Sequence, residues 1–205
     1  MAIVTEALLF SSSTADAPFD LTIDLFSRMV ESGLIPEDRR VYLQNGRLYE
    51  KMAKTRAHGY VGAAINMAFA RRLPDAWSLW PESTIVLDPK SAPLPDFAVI
   101  RGAPLDFGAP ERYPEPGDIG LLIEIGVTSL RDDLTTRMEQ YARALIPAYW
   151  VMDVLGRRIV AHTEPRLVED RGVYARVETY GPGQSLPLML DGLEVARIPF
   201  DEILR

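Results

Sequence analysis

Leu94-Pro95-Asp96-Phe97-Ala98-Val99-Ile100 and Leu121-Leu122-Ile123-Glu124-Ile125 each set one carboxylate in or beside a short run of strand-forming apolar residues. An acid in a buried strand is expensive to ionise unless a cation or a hydrogen-bond donor stands beside it. Two such acids on neighbouring strands have a common explanation in a shared metal ion. Plainer readings stand next to it. Asp96 after its proline also suits a turn residue capping the strand, and Glu124 would be satisfied by an arginine, since charged residues are almost never fully buried unpaired.

Outward from these two strands, the order of elements follows from periodicity. Leu21 to Leu34 reads as a helix, with Leu25, Met29 and Val30 at helical spacing and Gly33 as its stop. Val41-Tyr42-Leu43 and Arg47-Leu48-Tyr49 flank Gln44-Asn45-Gly46, a strong hairpin signal. Thr55 to Leu73 is a second helix, with Val61, Ile65, Ala68 and Phe69 on its apolar face. Thr84 to Leu87 and Phe97 to Ile100 read as strands, and residues 102–118 as an irregular loop rich in proline. Ile119 to Ile125 suits a strand buried on both faces. A helix is expected from Leu130 to Leu145, opened by a capping box of Ser129 with Asp132. Ala148 to Val154, Arg157 to Ala161, Tyr174 to Tyr180 and Leu186 to Leu190 read as strands, with a last helical turn at Phe200 to Leu204. Grouped strands between helices predict a mixed α+β (α/β) domain: a central mixed β-sheet flanked by helices, with a β-rich C-terminal part. A six-fold βα alternation is absent, which excludes a barrel or a full dinucleotide fold.

The chain has 205 residues, 47% of them hydrophobic, enough for one domain with a real core. Residues 1–18 read as an N-terminal extension with a mobile Ser11-Ser12-Ser13-Thr14 stretch, and residues 19–205 as the single domain. Ala2 to Phe10 is apolar, but Glu6 interrupts it and no basic residue precedes it, unlike a signal peptide. No run approaches the roughly 20 apolar residues of a membrane span, so no membrane partner is expected. The lack of cysteine excludes disulfides, thiolate metal sites and a cysteine nucleophile, and fits a cytoplasmic setting. The net charge is −7, with only three lysines (Lys51, Lys54, Lys90) beside nineteen arginines. Duplex binding draws affinity from Lys and Arg neutralising phosphates, so bulk DNA should bind weakly unless arginines form a local basic groove.

A hard cation such as Mg²⁺ takes oxygen ligands, typically one or two carboxylates plus waters, and Asp96 with Glu124 would supply that pair. Asp133, Arg137 and Tyr141 follow at successive i,i+4 positions and so share one helix face. They read either as a surface ion pair plus an amphipathic tyrosine or as functional groups. In the second case Arg137, always protonated, would stabilise charge on a phosphate. His58 falls near the apolar face of its helix, which suits a satisfied core histidine or a support to the metal site better than a metal ligand; His162 reads as peripheral. Glu50 and Glu82 are candidates for a third acidic ligand, although an acid in either place is more often simply solvated.

These segments resemble the Uma-two family of restriction-endonuclease-like proteins in the PD-(D/E)XK nuclease superfamily. The resemblance runs from about residue 20 to the C-terminus. It is carried by Pro95-Asp96-Phe97-Ala98-Val99-Ile100-Arg101, then Leu122-Ile123-Glu124-Ile125, then Asp133 through Arg137 and Tyr141-Ala142-Arg143-Ala144 to Ile146-Pro147-Ala148-Tyr149-Trp150-Val151-Met152-Asp153. It implies a restriction-endonuclease-like fold, Asp96 and Glu124 as ligands of Mg²⁺ or Mn²⁺, the Ile125 backbone carbonyl completing the metal site, and endonuclease cleavage of DNA. The chain departs from the pattern in four places. Gly126 stands where the superfamily has lysine, Arg137 where a variant moves that lysine to the following helix, Tyr42 where an early strand has an acid, and Ala148 where an acid precedes Tyr149-Trp150. A catalytically inactive binding or regulatory module on the same fold is therefore the alternative expectation. Self-association into a homodimer is also expected, because the β-rich C-terminal third needs its edges covered.

Overall fold

Asn45 and Gly46 turn the chain with φ of 48° and 74°, the left-handed pair that a two-residue hairpin requires. Gly46 is needed for a second reason: a Cβ there would lie 2.7 Å from the Asp20 Cβ. The hairpin strands are β1 (Val41–Gln44) and β2 (Arg47–Glu50), paired antiparallel with Val41 opposite Glu50. Helix α1 (Ile23–Glu31) packs on this hairpin through Phe26, which joins Ile35, Leu43 and Ala92 in a small apolar cluster. The computed structural model describes residues 19–36, 38–107 and 112–205; the extension expected over residues 1–18 lies outside the described residues, as does part of the 102–118 loop.

Six strands form the central sheet in the order β3-β4-β5-β6-β7-β8. They are β3 (Trp77–Pro81), β4 (Phe97–Arg101), β5 (Ile119–Gly126), β6 (Ala148–Asp153), β7 (Arg158–Val168) and β8 (Arg171–Tyr180). All pairs are antiparallel except β5 with β6, so the sheet is mixed, as expected. The parallel pair needs a crossover, and the helical segment after β5 supplies it.

Strand alternation splits β5 between two cores. Leu121, Ile123 and Ile125 join helix α2 (Arg56–Ala70) and the C-terminal residues Leu186, Leu188, Leu190, Ile198 and Phe200 on one face. Leu122, with Ala98 and Ile100 of β4, meets Tyr141, Ala142, Ile146 and Tyr149 on the other. The C-terminal part forms β9 (Ser185–Leu190), β10 (Leu193–Pro199) and α5 (Phe200–Ile203).

Three local expectations are corrected. Thr84 to Leu87 forms no strand. Prolines 89, 93 and 95 surround its partner segment and remove ladder donors, so Ile85, Val86 and Leu87 bond singly to the carbonyls of Pro93, Pro114 and Ser91. Trp77–Pro81 takes the edge position instead. The helix after β5 is not uniform: a short α3 (Leu130–Asp132) passes into a π-helical turn at Asp133–Arg137 and then α4 (Met138–Arg143). The capping box of Ser129 with Asp132 does not form. Ser129 is already in the helical region, with φ −91° and ψ −5°, and its hydroxyl donates instead to Asp133 Oδ2 at 2.6 Å.

Candidate active site

Phe97 pairs with Ile123 across β4 and β5, so Asp96 and Glu124 face each other one step further along. Here side chains replace the main-chain ladder. The Asp96 amide donates to Glu124 Oε2 at 3.3 Å, and the Ile125 amide to Asp96 Oδ2 at 2.7 Å. Both acids are buried, at 3% and 2% exposure. By the parity of β5, Glu124 points toward the layer that holds α3, the π turn and α4.

One ammonium bridges them. Lys51, the first residue after β2, sets its Nζ 2.7 Å from Asp96 Oδ1, 3.2 Å from Glu124 Oε2 and 2.9 Å from the Leu94 carbonyl oxygen. The second Asp96 oxygen also meets His58 Nε2 at 3.0 Å. His58 is placed by helix α2, whose first turn is capped by Thr55 Oγ1 accepting from the His58 amide. Its Nδ1 is buried with no partner among the described residues. Glu124 Oε1 accepts from Arg137 Nη1 at 3.0 Å and from the Tyr141 hydroxyl at 2.9 Å.

These contacts set the protonation states. Burial would raise the Asp96 carboxyl, but the His58 hydrogen bond and the Lys51 charge hold it well below the usual carboxylate range. Burial also opposes charge on Arg137, yet Glu124 and the oxygens of Tyr141 and Tyr42 keep it above its ordinary value. Burial and then Glu124 raise Tyr141, so it stays a donor. Asp133 differs. Burial, then the charge on Glu124, pushes it up to about 7, against the Ser129 hydrogen bond and the Arg137 charge.

The expected face of Asp133, Arg137 and Tyr141 is therefore assembled, and it is internal: their exposures are 1%, 6% and 0%. Arg137 Nε lies 3.5 Å from Asp133 Oδ1, and its guanidinium sits 5.3 Å over the Tyr42 ring. A π turn adds one residue per turn and is frequent at functional sites; here it spans Asp133 to Arg137. Glu50 and Glu82 are engaged elsewhere, Glu50 with Arg39 at 3.1 Å and Glu82 with Arg40 and Lys54. His162 is corrected from peripheral to buried: it stacks on Tyr149, with Nδ1 3.3 Å from that residue's carbonyl oxygen.

Sequence reasoning missed Lys51, although its position as one of three lysines directly after the hairpin was a signal. The structure also explains Gly126. A Cβ there would lie 2.9 Å from Leu130 Cδ1 and 3.1 Å from Leu130 Cα, so a lysine at that position would crowd Leu130. The charge arrives from the hairpin instead.

Asp96, Glu124, Lys51, His58 and Arg137 line a cavity of about 240 Å³. A cleft of about 900 Å³ between the hairpin turn and α4 is larger but contains neither Asp96 nor Glu124. No cluster of three or more His, Cys, Asp or Glu side chains suited to hold a metal occurs among the described residues. The donor set nevertheless fits a hard cation. Two carboxylates and a carbonyl already converge on one cationic centre, and Mg²⁺ needs only one or two carboxylates, with water completing its shell.

A family model described as "Putative restriction endonuclease" matches residues 24–198. The chain belongs to the Uma2 family. A solved structure similar to this Uma2 chain is a "putative nuclease" from Anabaena variabilis ATCC 29413, with a TM-score of 0.64 at 12% identity, covering 89% of this chain and 97% of that one. At that identity the likeness concerns the fold, which is nuclease-like. No match is found among curated proteins. Among the described residues, no helix of this Uma2 protein is long and apolar enough to cross a membrane.

Proposed function

We propose that this chain is a Mg²⁺- or Mn²⁺-dependent DNA endonuclease that hydrolyses phosphodiester bonds, with the metal held by Asp96 and Glu124. The observation that carries the reading is the bridged ammonium: oxygens from Leu94, Asp96 and Glu124 all meet one cation, Lys51 Nζ, in a chain of a restriction-endonuclease family. The Ile125 carbonyl is the further oxygen offered to the ion. When bound, a divalent ion supplies Lewis-acid stabilisation of charge on the phosphate and activates water near neutral pH.

The protein's own groups divide the remaining work. His58 and the Ile125 amide fix the Asp96 carboxylate and keep it ionised. Arg137 and Tyr141 fix Glu124 from the opposite side, so Arg137 serves as a positioning residue. Lys51, beside both acids and open to the cavity, is the cation that can meet a phosphate oxygen. It takes the role expected of the missing strand lysine.

The test is a panel of labelled single- and double-stranded DNA with Mg²⁺ or Mn²⁺, run beside Asp96→Ala. Cleavage that needs the metal and disappears in the variant is expected; equal cleavage by both proteins would reject the reading. One observation favours a second reading, a non-catalytic binding or regulatory module. Protein donors alone give Glu124 four hydrogen bonds, which already balances its buried charge. That module would show no metal-stimulated turnover with its fold intact, and robust cleavage abolished by Glu124→Gln would eliminate it.

A further inference from the structure

We infer that the Lys51 ammonium holds the cation position in the resting protein and is displaced toward the cavity mouth when a divalent ion binds, which carries it to the substrate phosphate. This rests on the metal-site reading above. Asp96 and Glu124 bring two negative charges, and Lys51 and Arg137 bring two positive ones. A divalent ion between the same carboxylates would stand against the ammonium, and two cations in contact beside buried carboxylates repel more strongly than in bulk water.

Of the two cations, Lys51 is the better placed to leave. The Arg137 side chain is 8% exposed and is held by Glu124, Tyr141 and Asp133. The Lys51 side chain is 14% exposed and lines the cavity. It belongs to the segment 51–55, which has neither helix nor strand and whose residues 52–54 are exposed. Its backbone is fixed, because the Lys51 amide donates to the Arg40 carbonyl at 2.8 Å. The flexible four-carbon stem can therefore swing about a stationary pivot. A phosphate diester then supplies the negative charge that the displaced ammonium lost, so ion and substrate favour each other.

Calorimetric titration with Mn²⁺ alone, without nucleic acid, tests this on wild type, Lys51→Met and Lys51→Gln. Removing the competing ammonium should tighten Mn²⁺ binding by about tenfold or more. A second readout uses the wild type only: acetylation by an amine-selective reagent, followed by mass spectrometry. Mn²⁺ should speed modification of Lys51 relative to Lys90, which is half-exposed and paired with Asp20. Equal or weaker Mn²⁺ binding by the variants, or Lys51 labelling unchanged or slowed by Mn²⁺, overturns the displacement and leaves the metal site standing. Absence of Mn²⁺ binding in all three proteins overturns both. If the variants do not fold, the labelling result decides alone.

Discussion

Glu124 shows how a single buried charge organises its surroundings. Four donors from three parts of the chain reach its two oxygens: Lys51 after the hairpin, the Asp96 amide, and Arg137 and Tyr141 on the helical segment. Removing one partner of such a set leaves an uncompensated buried charge, which is strongly destabilising. Gly126 belongs to the same arrangement. The lysine of the superfamily pattern would start its side chain pressed against Leu130. Gly126→Lys is therefore expected to lower stability by on the order of 1–3 kcal/mol through overpacking, read as a lower urea midpoint. A variant as stable as wild type would show that the start of α3 yields to the new side chain.

Among the elements, the π turn at Asp133–Arg137 sets the titration of a buried acid. It brings Asp133 into a buried position near Glu124, where its carboxyl titrates at about 7 instead of the ordinary 3.8. The consequence for stability has a definite sign. Below about pH 4 the acid is protonated in both folded and unfolded chains and has no effect. Between about 4 and 7 the unfolded chain releases the proton while the folded chain keeps it, so stability falls as pH rises. Above about 7 the loss is complete and constant. Asp133→Asn keeps an acceptor for Ser129 and removes this slope. Urea midpoints measured across that pH range should fall with pH more steeply in wild type than in the variant, and parallel curves would refute the assignment.

At the scale of the molecule, the C-terminal β9, β10 and α5 act as one lid of the core. Leu186, Leu188, Leu190, Ile198, Phe200 and Ile203 are all nearly inaccessible, packed on α2 and the sheet. Burial of such side chains contributes about 1.5–3 kcal/mol each, which together rivals the net stability of about 5–15 kcal/mol of a whole domain. Truncation after Tyr180 is therefore expected to abolish the cooperative thermal transition followed by near-ultraviolet circular dichroism. A sharp transition in the shortened chain would contradict that role. The acidic total of the chain belongs to this scale too. It disfavours phosphate contact over the surface at large, and under the proposed function the local cations around the cavity would supply that contact.

Local pattern by itself determined the Asn45-Gly46 hairpin, helix α2, the two apolar strands with their acids, and the shared face of Asp133, Arg137 and Tyr141, because periodicity and turn chemistry act over a few neighbouring residues. It misplaced the edge strand, which pairing along β4 selects over the proline-rich segment before it. It also saw a missing lysine where Leu130 had taken the space. Only the tertiary structure decided that Lys51 stands between the two acids, that His58 bonds Asp96 and that His162 is buried. Each of these depends on segments distant in sequence closing around one charge, and in a low-dielectric interior a buried carboxylate draws its partners from whichever element the packing brings within reach.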